Sequence, residues 1–183
     1  MLLALLVLQA PVPVEQEPRH KVQYADAAMR VLNVDIPPGE TTLEHTHRND
    51  IATVCLECGP RRNRVPGGEW SGILTRVVGT VEVTPYTAKP GTHAVQTVGN
   101  EHYHLIAVEN LRPGTFTAAP VAGLTPAQET GAFRIYRIGP EASAPHTHAA
   151  PTVVVTVATR QWTRVPAGQP HTPTPATVEI ELR

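Results

Sequence analysis

Nine histidines in a chain of 183 residues fall into groups instead of being scattered. His45-Thr46-His47 and His146-Thr147-His148 each set two imidazoles two residues apart. On a strand, positions i and i+2 share a face, so each pair projects both rings into one space. Neutral imidazoles at that spacing are natural ligands for a divalent metal ion. A third histidine follows a Pro/Gly turn in each half: His93 after Pro90-Gly91-Thr92, and His171 after Pro166-Ala167-Gly168-Gln169-Pro170. An antiparallel return would bring it opposite the pair. A lone His-x-His is weak evidence for metal, but its double occurrence in parallel contexts predicts ligation by His45, His47 and His93, and by His146, His148 and His171. Imidazole suits Fe, Mn, Ni, Cu and Zn alike, so the residues do not choose among divalent transition metals.

Other residues with chemical potential read as structural. His102-Tyr103-His104 repeats the spacing, but Tyr103, Leu105 and Ala107 form the more apolar face of that strand, so His102 and His104 are expected to point away from the core. His20 sits in a polar lead-in and is expected to be solvated. Cys55 and Cys58 form Cys-Leu-Glu-Cys at the end of an apolar run and are followed at once by Gly59-Pro60. A redox CxxC sits at a helix N-terminus, and nothing helical follows here, which favours a small disulfide loop or two unpaired thiols packed as apolar groups. A CxxC redox protein is the remote alternative, and zinc would need more ligands than two cysteines.

The elements that must position the histidines are strands. Met29 to Ile36, Gly79 to Val83, Tyr103 to Glu109, Phe133 to Ile138 and Val178 to Leu182 alternate apolar and polar residues, while Thr152 to Val157 is a continuous β-branched run suited to burial on both faces. With 19 Pro and 13 Gly, turns are frequent. Only Thr125-Pro126-Ala127-Gln128-Glu129 reads as helical, with Thr125 as N-cap and Pro126 in the first turn. The landmarks recur in order. Met29-Arg30-Val31, Gly39, His45-x-His47, His93 and Glu109 are followed by Phe133-Arg134-Ile135, Gly139, His146-x-His148, His171 and Glu181. The chain therefore divides into a signal-like or disordered leader (1–19), a first unit (20–112), a Pro/Gly/Ala-rich joint (113–129) and a short second unit (130–183). The first unit is lengthened at Gly59 to Gly79 by an exposed loop or an added hairpin.

Fifteen Lys+Arg against 16 Asp+Glu give a net charge of -1, which sets nucleic acid aside as a partner. No apolar run approaches the roughly 18 residues needed for an integral membrane span. Met1 to Ala10, MLLALLVLQA, has the apolarity and length of a signal-peptide core, although no Lys or Arg precedes it and Leu8-Gln9-Ala10 is a poor cleavage site. A periplasmic or secreted protein is expected. The alternative is an apolar edge strand in a cytoplasmic one.

Gly39, five residues and His45-x-His47 resemble the first motif of the cupin superfamily. Pro166-Ala167-Gly168-Gln169-Pro170-His171 resembles the second, and Pro90-Gly91-Thr92-His93 is a looser version. With its repeat, the chain resembles a bicupin over about residues 20–183. The resemblance implies an all-β fold of cupin/jelly-roll antiparallel β-barrels, two tandem units with the second shortened, each with a metal pocket, and a homodimer. The family's first motif continues to a Glu three or four residues beyond the histidine pair. Those positions are Ile51 and Ala52, and Thr152 and Val153, so neither unit is expected to supply that carboxylate, and strand phase turns Asp50 away. A three-His site is expected in the first unit, with the second unit's set as a further candidate. Three neutral imidazoles leave the ion's charge uncompensated and favour an anionic oxygen ligand such as a carboxylate or enolate.

The expected function is thus that of a metal-binding cupin protein, a metal-dependent enzyme of dioxygenase, isomerase or lyase type acting on a small oxygen-rich or carboxylated metabolite. The alternative is a non-catalytic module that captures a metal ion or small ligand outside the cytoplasm. A carboxylate or tyrosine in the metal pocket would discriminate the two; Glu44, Glu57, Glu82, Glu101 and Tyr103 are near in sequence without an assignable role.

Overall fold

Short alternating segments between Pro and Gly turns form sixteen strands and two one-turn 3-10 helices (Val14–Gln16 and Pro140–Ala142) among the residues described by the computed structural model, 10–112, 114 and 117–183. The first unit holds β1 (Val12–Pro13), β2 (His20–Ala25), β3 (Met29–Ile36), β4 (His45–His47), β5 (Ile51–Cys58), β6 (Arg61–Arg64), β7 (Val81–Thr84), β8 (Gly91–Thr97) and β9 (Tyr103–Asn110). The second holds β10 (Gln128–Glu129), β11 (Phe133–Ile138), β12 (His146–Thr147), β13 (Thr152–Thr156), β14 (Gln161–Val165), β15 (Pro170–His171) and β16 (Thr177–Leu182).

Each unit has a five-stranded antiparallel sheet and a smaller one. In the first the orders are β2-β3-β9-β5-β7 and β1-β4-β8-β6; in the second they are β10-β11-β16-β13-β14 and β12-β15. Two tandem antiparallel units, the second shortened, are the expected fold class. Only the short β1–β4 pairing is parallel among the described strands.

Alternation divides the central strands between two cores. Leu32, Val34 and Ile36 of β3, Ile51 and Cys55 of β5, and Leu105 and Ala107 of β9 pack inside the first unit with Val14 and Val95. The other faces of the same strands carry Met29, Val31, Ala52, Val54, Ile106 and Val108, which pack with Phe133, Ile135, Val153, Val155, Val178, Ile180 and Leu182 of the second unit. The two large sheets therefore lie face to face and share one apolar layer. Each large side chain buried there contributes about 1.5–3 kcal/mol. Partly exposed ion pairs at its rim, Arg160–Glu57 at 2.7 Å and Arg164–Asp26 at 3.3 Å, add little beyond register.

Three expectations need correction. The segment Thr125 to Glu129 is not helical: Ala127 N–H donates to Ile135 O, and Gln128 and Glu129 pair with Ile135 and Arg134. A five-residue helix has too few internal bonds to compete with a sheet edge. The leader's boundary at residue 19 is too late, since Val12 pairs with His45 and Val14 is buried in the first core; the apolar start, Met1 to Gln9, lies outside the described residues. The joint is also shorter than expected, because Val121 packs with Tyr136 and Ile138. The added segment after Gly59 is a strand with a return, β6 pairing with β8 while Leu74 bridges Arg61.

Cys55 and Cys58 are joined by a disulfide. Residues i and i+3 of a regular strand face opposite ways, but the register shifts between Cys55 and Glu57, so that Cys55 lies opposite Leu105 and Cys58 opposite Tyr103. Leu56 is the extra residue of a bulge, which returns Cys58 to the face of Cys55.

Candidate metal centres

In the first unit β4 and β8 run antiparallel with His45 opposite His93. The rings of His45, His47 and His93 lie 4.7–5.0 Å apart between centroids. The three expected ligands are thus brought together. A fourth histidine joins them: His20, expected in solvent, is 6% exposed, and its ring lies 4.5 Å from that of His45. His20, His45 and His47 each offer a nitrogen within 4.8 Å of the others. His20 Nδ1–H donates to Glu17 Oε2 at 2.6 Å, and His45 Nδ1–H to the Leu43 carbonyl at 2.9 Å. Both tautomers are thereby fixed with Nε2 free. His45 Nε2 and His47 Nδ1 are buried without a hydrogen-bond partner. Two such nitrogens cost about 1–3 kcal/mol each unless something accepts their lone pairs, which a metal ion would.

Electrostatics agree with that fit. Burial, and then the neighbouring histidines, hold His45 down at about 3 and His47 at about 2. Burial, then His20 and Arg61, hold His93 at about 4. All three are neutral lone-pair donors at physiological pH, the form that metal ligation requires. Burial works against ionisation of Glu17, but the bond and charge of His20 and the amides of Arg19 and Leu43 outweigh it, and the carboxyl lies below its ordinary range.

A cavity of about 110 Å³ opens beside His47 and His93, walled by apolar side chains such as Val34, Leu105 and Ala107. Tyr86 stacks on His47, with centroids 4.7 Å apart and planes inclined by 13°. Gly91 makes room for it: a Cβ there would stand 2.5 Å from Tyr86 Cε1. Burial, then Glu82, pushes the Tyr86 hydroxyl pKa up and keeps it protonated. Of the acidic and tyrosyl residues without an assigned role, Glu82 and Tyr103 line this cavity. Glu44 lies 3.6 Å from Arg64, Glu57 pairs with Arg160, and Glu101 is exposed. Asp50 points elsewhere, accepting from Thr87 N–H at 2.7 Å. His104 lies on the other face of β9, beside Asn33 (2.6 Å), and His102, just before that strand, beside Asp35 (2.8 Å); that face was expected to point away from the core, but its Ile106 and Val108 belong to the apolar layer shared with the second unit.

In the second unit β12 and β15 set His146 opposite His171. The rings of His146, His148 and His171 are 4.5–5.4 Å apart. The motif positions Thr152 and Val153 supply no carboxylate, but one reaches the histidines from another strand. Glu179 of β16, fully buried, accepts from His146 Nε2 at 3.0 Å and His148 Nε2 at 2.9 Å, and its other oxygen is 3.6 Å from His171 Nε2. The four residues offer ligand atoms within 4.8 Å of one another. Burial opposes the charge of Glu179, but His148 and His146 outweigh it and lower its pKa. Burial likewise opposes protonation of His148, but Glu179 and Glu181 overcome it and raise its pKa.

The two residues missed in sequence differ in how visible they were. Glu179 and Glu181 alternate with Val178, Ile180 and Leu182, and that polar face had to be buried once β13 was read as buried on both sides. His20 carried no comparable signal; only the pairing of His20 with Val34, whose side chain faces the cavity, brings it in.

The sequence matches no protein-family model, and no curated protein matches it. Among solved structures it is similar to a cupin domain from Bordetella pertussis Tohama I, with 20% identity and a TM-score of 0.44 over 56% of this chain and 97% of that one. It is also similar to an RmlC-like cupin family protein with a double-stranded β-helix fold from Methanocaldococcus jannaschii (11%, TM-score 0.39, 50% and 77% covered). A third is the polyketide cyclase RemF from Streptomyces resistomycificus (14%, TM-score 0.39, 61% and 81% covered). Cupin and RmlC-like double-stranded β-helix proteins thus stand among the structural neighbours.

Proposed function

We propose that the protein is a metal-dependent enzyme of the cupin type, with its chemistry in the first unit and a small oxygen-rich metabolite as substrate. His45, His47 and His93, with His20 as the fourth nitrogen, would hold one divalent transition ion. The observation that carries this reading is the convergence of His45, held neutral with its tautomer fixed, and His47, also held neutral, whose buried nitrogens His45 Nε2 and His47 Nδ1 have no partner. A bound ion would supply Lewis acidity or activate dioxygen. The surrounding residues do the rest. Glu82, Tyr86 and Tyr103 line the same cavity as the histidines, which favours an enzyme over a passive binding module because groups able to hold or move a proton stand beside the ion's place. The Tyr86 ring covers one face of His47 and keeps water from it.

His146, His148, His171 and Glu179 would hold a second ion. The buried carboxylate completes a four-donor set there, which suits a structural role in tying β12 and β15 to β16. The disulfide between Cys55 and Cys58 and the apolar Met1 to Ala10 segment support a place outside the cytoplasm.

Elemental analysis of protein purified without a metal-capturing tag tests the reading. About two equivalents of iron, manganese, nickel, copper or zinc per chain are expected. Absence of metal after reconstitution with each ion would sink it.

A further inference from the structure

The cavity of the first unit has a second polar end. On β6 the side chains alternate: Arg61 and Asn63 line the cavity, whereas the guanidinium groups of Arg62 and Arg64 lie over the half-buried Trp70, 5.0 and 4.8 Å from its ring. The Arg61 side chain is 10% exposed, and its guanidinium sits 4.5 Å from the Tyr103 ring centroid. Its Nη1 is buried with no hydrogen-bond partner, and so is Asn63 Oδ1. Its Nη2 stands 4.0 Å from Glu82, beyond hydrogen-bond reach, and that carboxylate is 54% exposed.

Arg76, the other arginine of the cavity, is already committed. It donates to the Tyr103 hydroxyl, Thr53 Oγ1 and the carbonyls of Thr53 and Thr80. Arg61 and Arg76 face Glu82 as the one carboxylate among the described lining residues, so one positive charge is left over. A buried charged donor without an acceptor is rare in a folded protein, and the geometry that suits a guanidinium fork best is a carboxylate. The cavity is well below the roughly 300–1,000 Å³ that drug-sized ligands fill, and its apolar walls suit a short hydrocarbon segment.

We propose that Arg61 is a carboxylate-binding pole, so that the ligand of this cavity is a small carboxylic acid anchored there with its second oxygen group turned toward the histidines. The carboxylate pole stands without the metal; the orientation of the second group rests on the metal reading above.

The test is calorimetric titration of the full chain, metal-loaded and chelator-treated, with two- to six-carbon hydroxy- and oxo-acids and with their neutral amides. Acids should bind both forms, and the amides about tenfold or more weakly. Arg61→Gln should lower acid affinity by a similar factor at unchanged metal content, Arg61→Lys should recover part of it, and the outward Arg62→Gln should change nothing. The acid–amide comparison needs no variant, so a folding defect in Arg61→Gln does not blunt the test. Equal binding of acid and amide, no binding of any acid at millimolar concentration, or undiminished binding by Arg61→Gln would each overturn the proposal. Acid selectivity that persists and depends on Arg61 in a protein that takes up no metal would overturn the metal reading and uphold this one.

Discussion

Ala107 and Glu179 occupy the same position in the two units. In the first, Met29 pairs with Asn110 and Leu32 with Ala107; in the second, Phe133 pairs with Leu182 and Tyr136 with Glu179. The neighbouring position on the same face corresponds as well: Glu109 and Glu181 are both buried, with Arg30 at 2.8 Å and Arg134 at 3.8 Å. The repeat has kept the ion pair and changed the residue beneath the histidines. A methyl group leaves a cavity in one unit where a carboxylate joins the histidine cluster in the other.

Exchange at that position should therefore move metal affinity without unfolding the chain. Glu179→Gln keeps the side chain's size and removes its charge, so metal content should fall by about one equivalent, all from the second unit. Ala107→Glu should add a carboxylate to the first site, tighten it for divalent ions and exclude small acids from the cavity. Metal counting and acid titration on the two variants check this, and an unchanged metal count in Glu179→Gln would refute the second site.

His20→Ala, His45→Ala and His93→Ala should each lower metal occupancy in the first unit while preserving the β-rich circular dichroism spectrum. Glu17→Gln acts one step further out, by loosening the His20 tautomer, and should weaken metal binding roughly 10–100-fold. Full occupancy in the His45 and His93 variants would exclude them as ligands.

The sequence showed most of the first cluster because its histidines lie in local patterns: two residues apart on a strand, or just after a Pro/Gly turn. The alternating apolar runs likewise revealed the strands. Glu179 and His20 were missed because their partners are supplied by strand pairing across long stretches of chain, and register is settled by which faces are buried. Thr125 to Glu129 misled for the opposite reason: its local cap signal was real, but Ile135 and Arg134 offered its backbone a sheet edge.

Acid and base should affect the two clusters of the metal-free protein in opposite senses. His45, His47 and His93 are held below the ordinary histidine value, so their contribution to stability is full above about pH 6.5 and is lost as the pH falls toward 4 and below. His148 is held above it, so its contribution is full below about pH 6.5 and is lost as the pH rises through its folded-state value. Metal uptake by the second site should then release more protons than uptake by the first, because His148 is held toward its charged form while His45, His47 and His93 are held toward the neutral one. Calorimetry in buffers of different ionisation enthalpy, on His45→Ala and Glu179→Gln, separates the two; equal proton release would count against this assignment.

Gly91→Ala should disturb the first cluster through Tyr86. The new methyl group would meet the ring edge at 2.5 Å and push it off His47. A cost of about 1–3 kcal/mol is expected, with the melting temperature falling about 2–4 °C for each kcal/mol. Tyr86→Ala should absorb most of that cost when the two changes are combined, and strict additivity in the double-mutant cycle would show that the ring is not what Gly91 accommodates.

The apolar layer between the two large sheets means that neither half of the chain is a portable module. A chain cut between residues 121 and 127 would leave Met29, Val31, Val54 and Val108 on one piece, and Phe133, Val153 and Ile180 on the other, facing water. Each fragment would carry a sheet built to be dry on both sides, and the nearest remedy for such a surface is a second copy of itself. The two histidine clusters are mounted back to back on this double-thickness slab, so transplanting either one means carrying the other's scaffold with it.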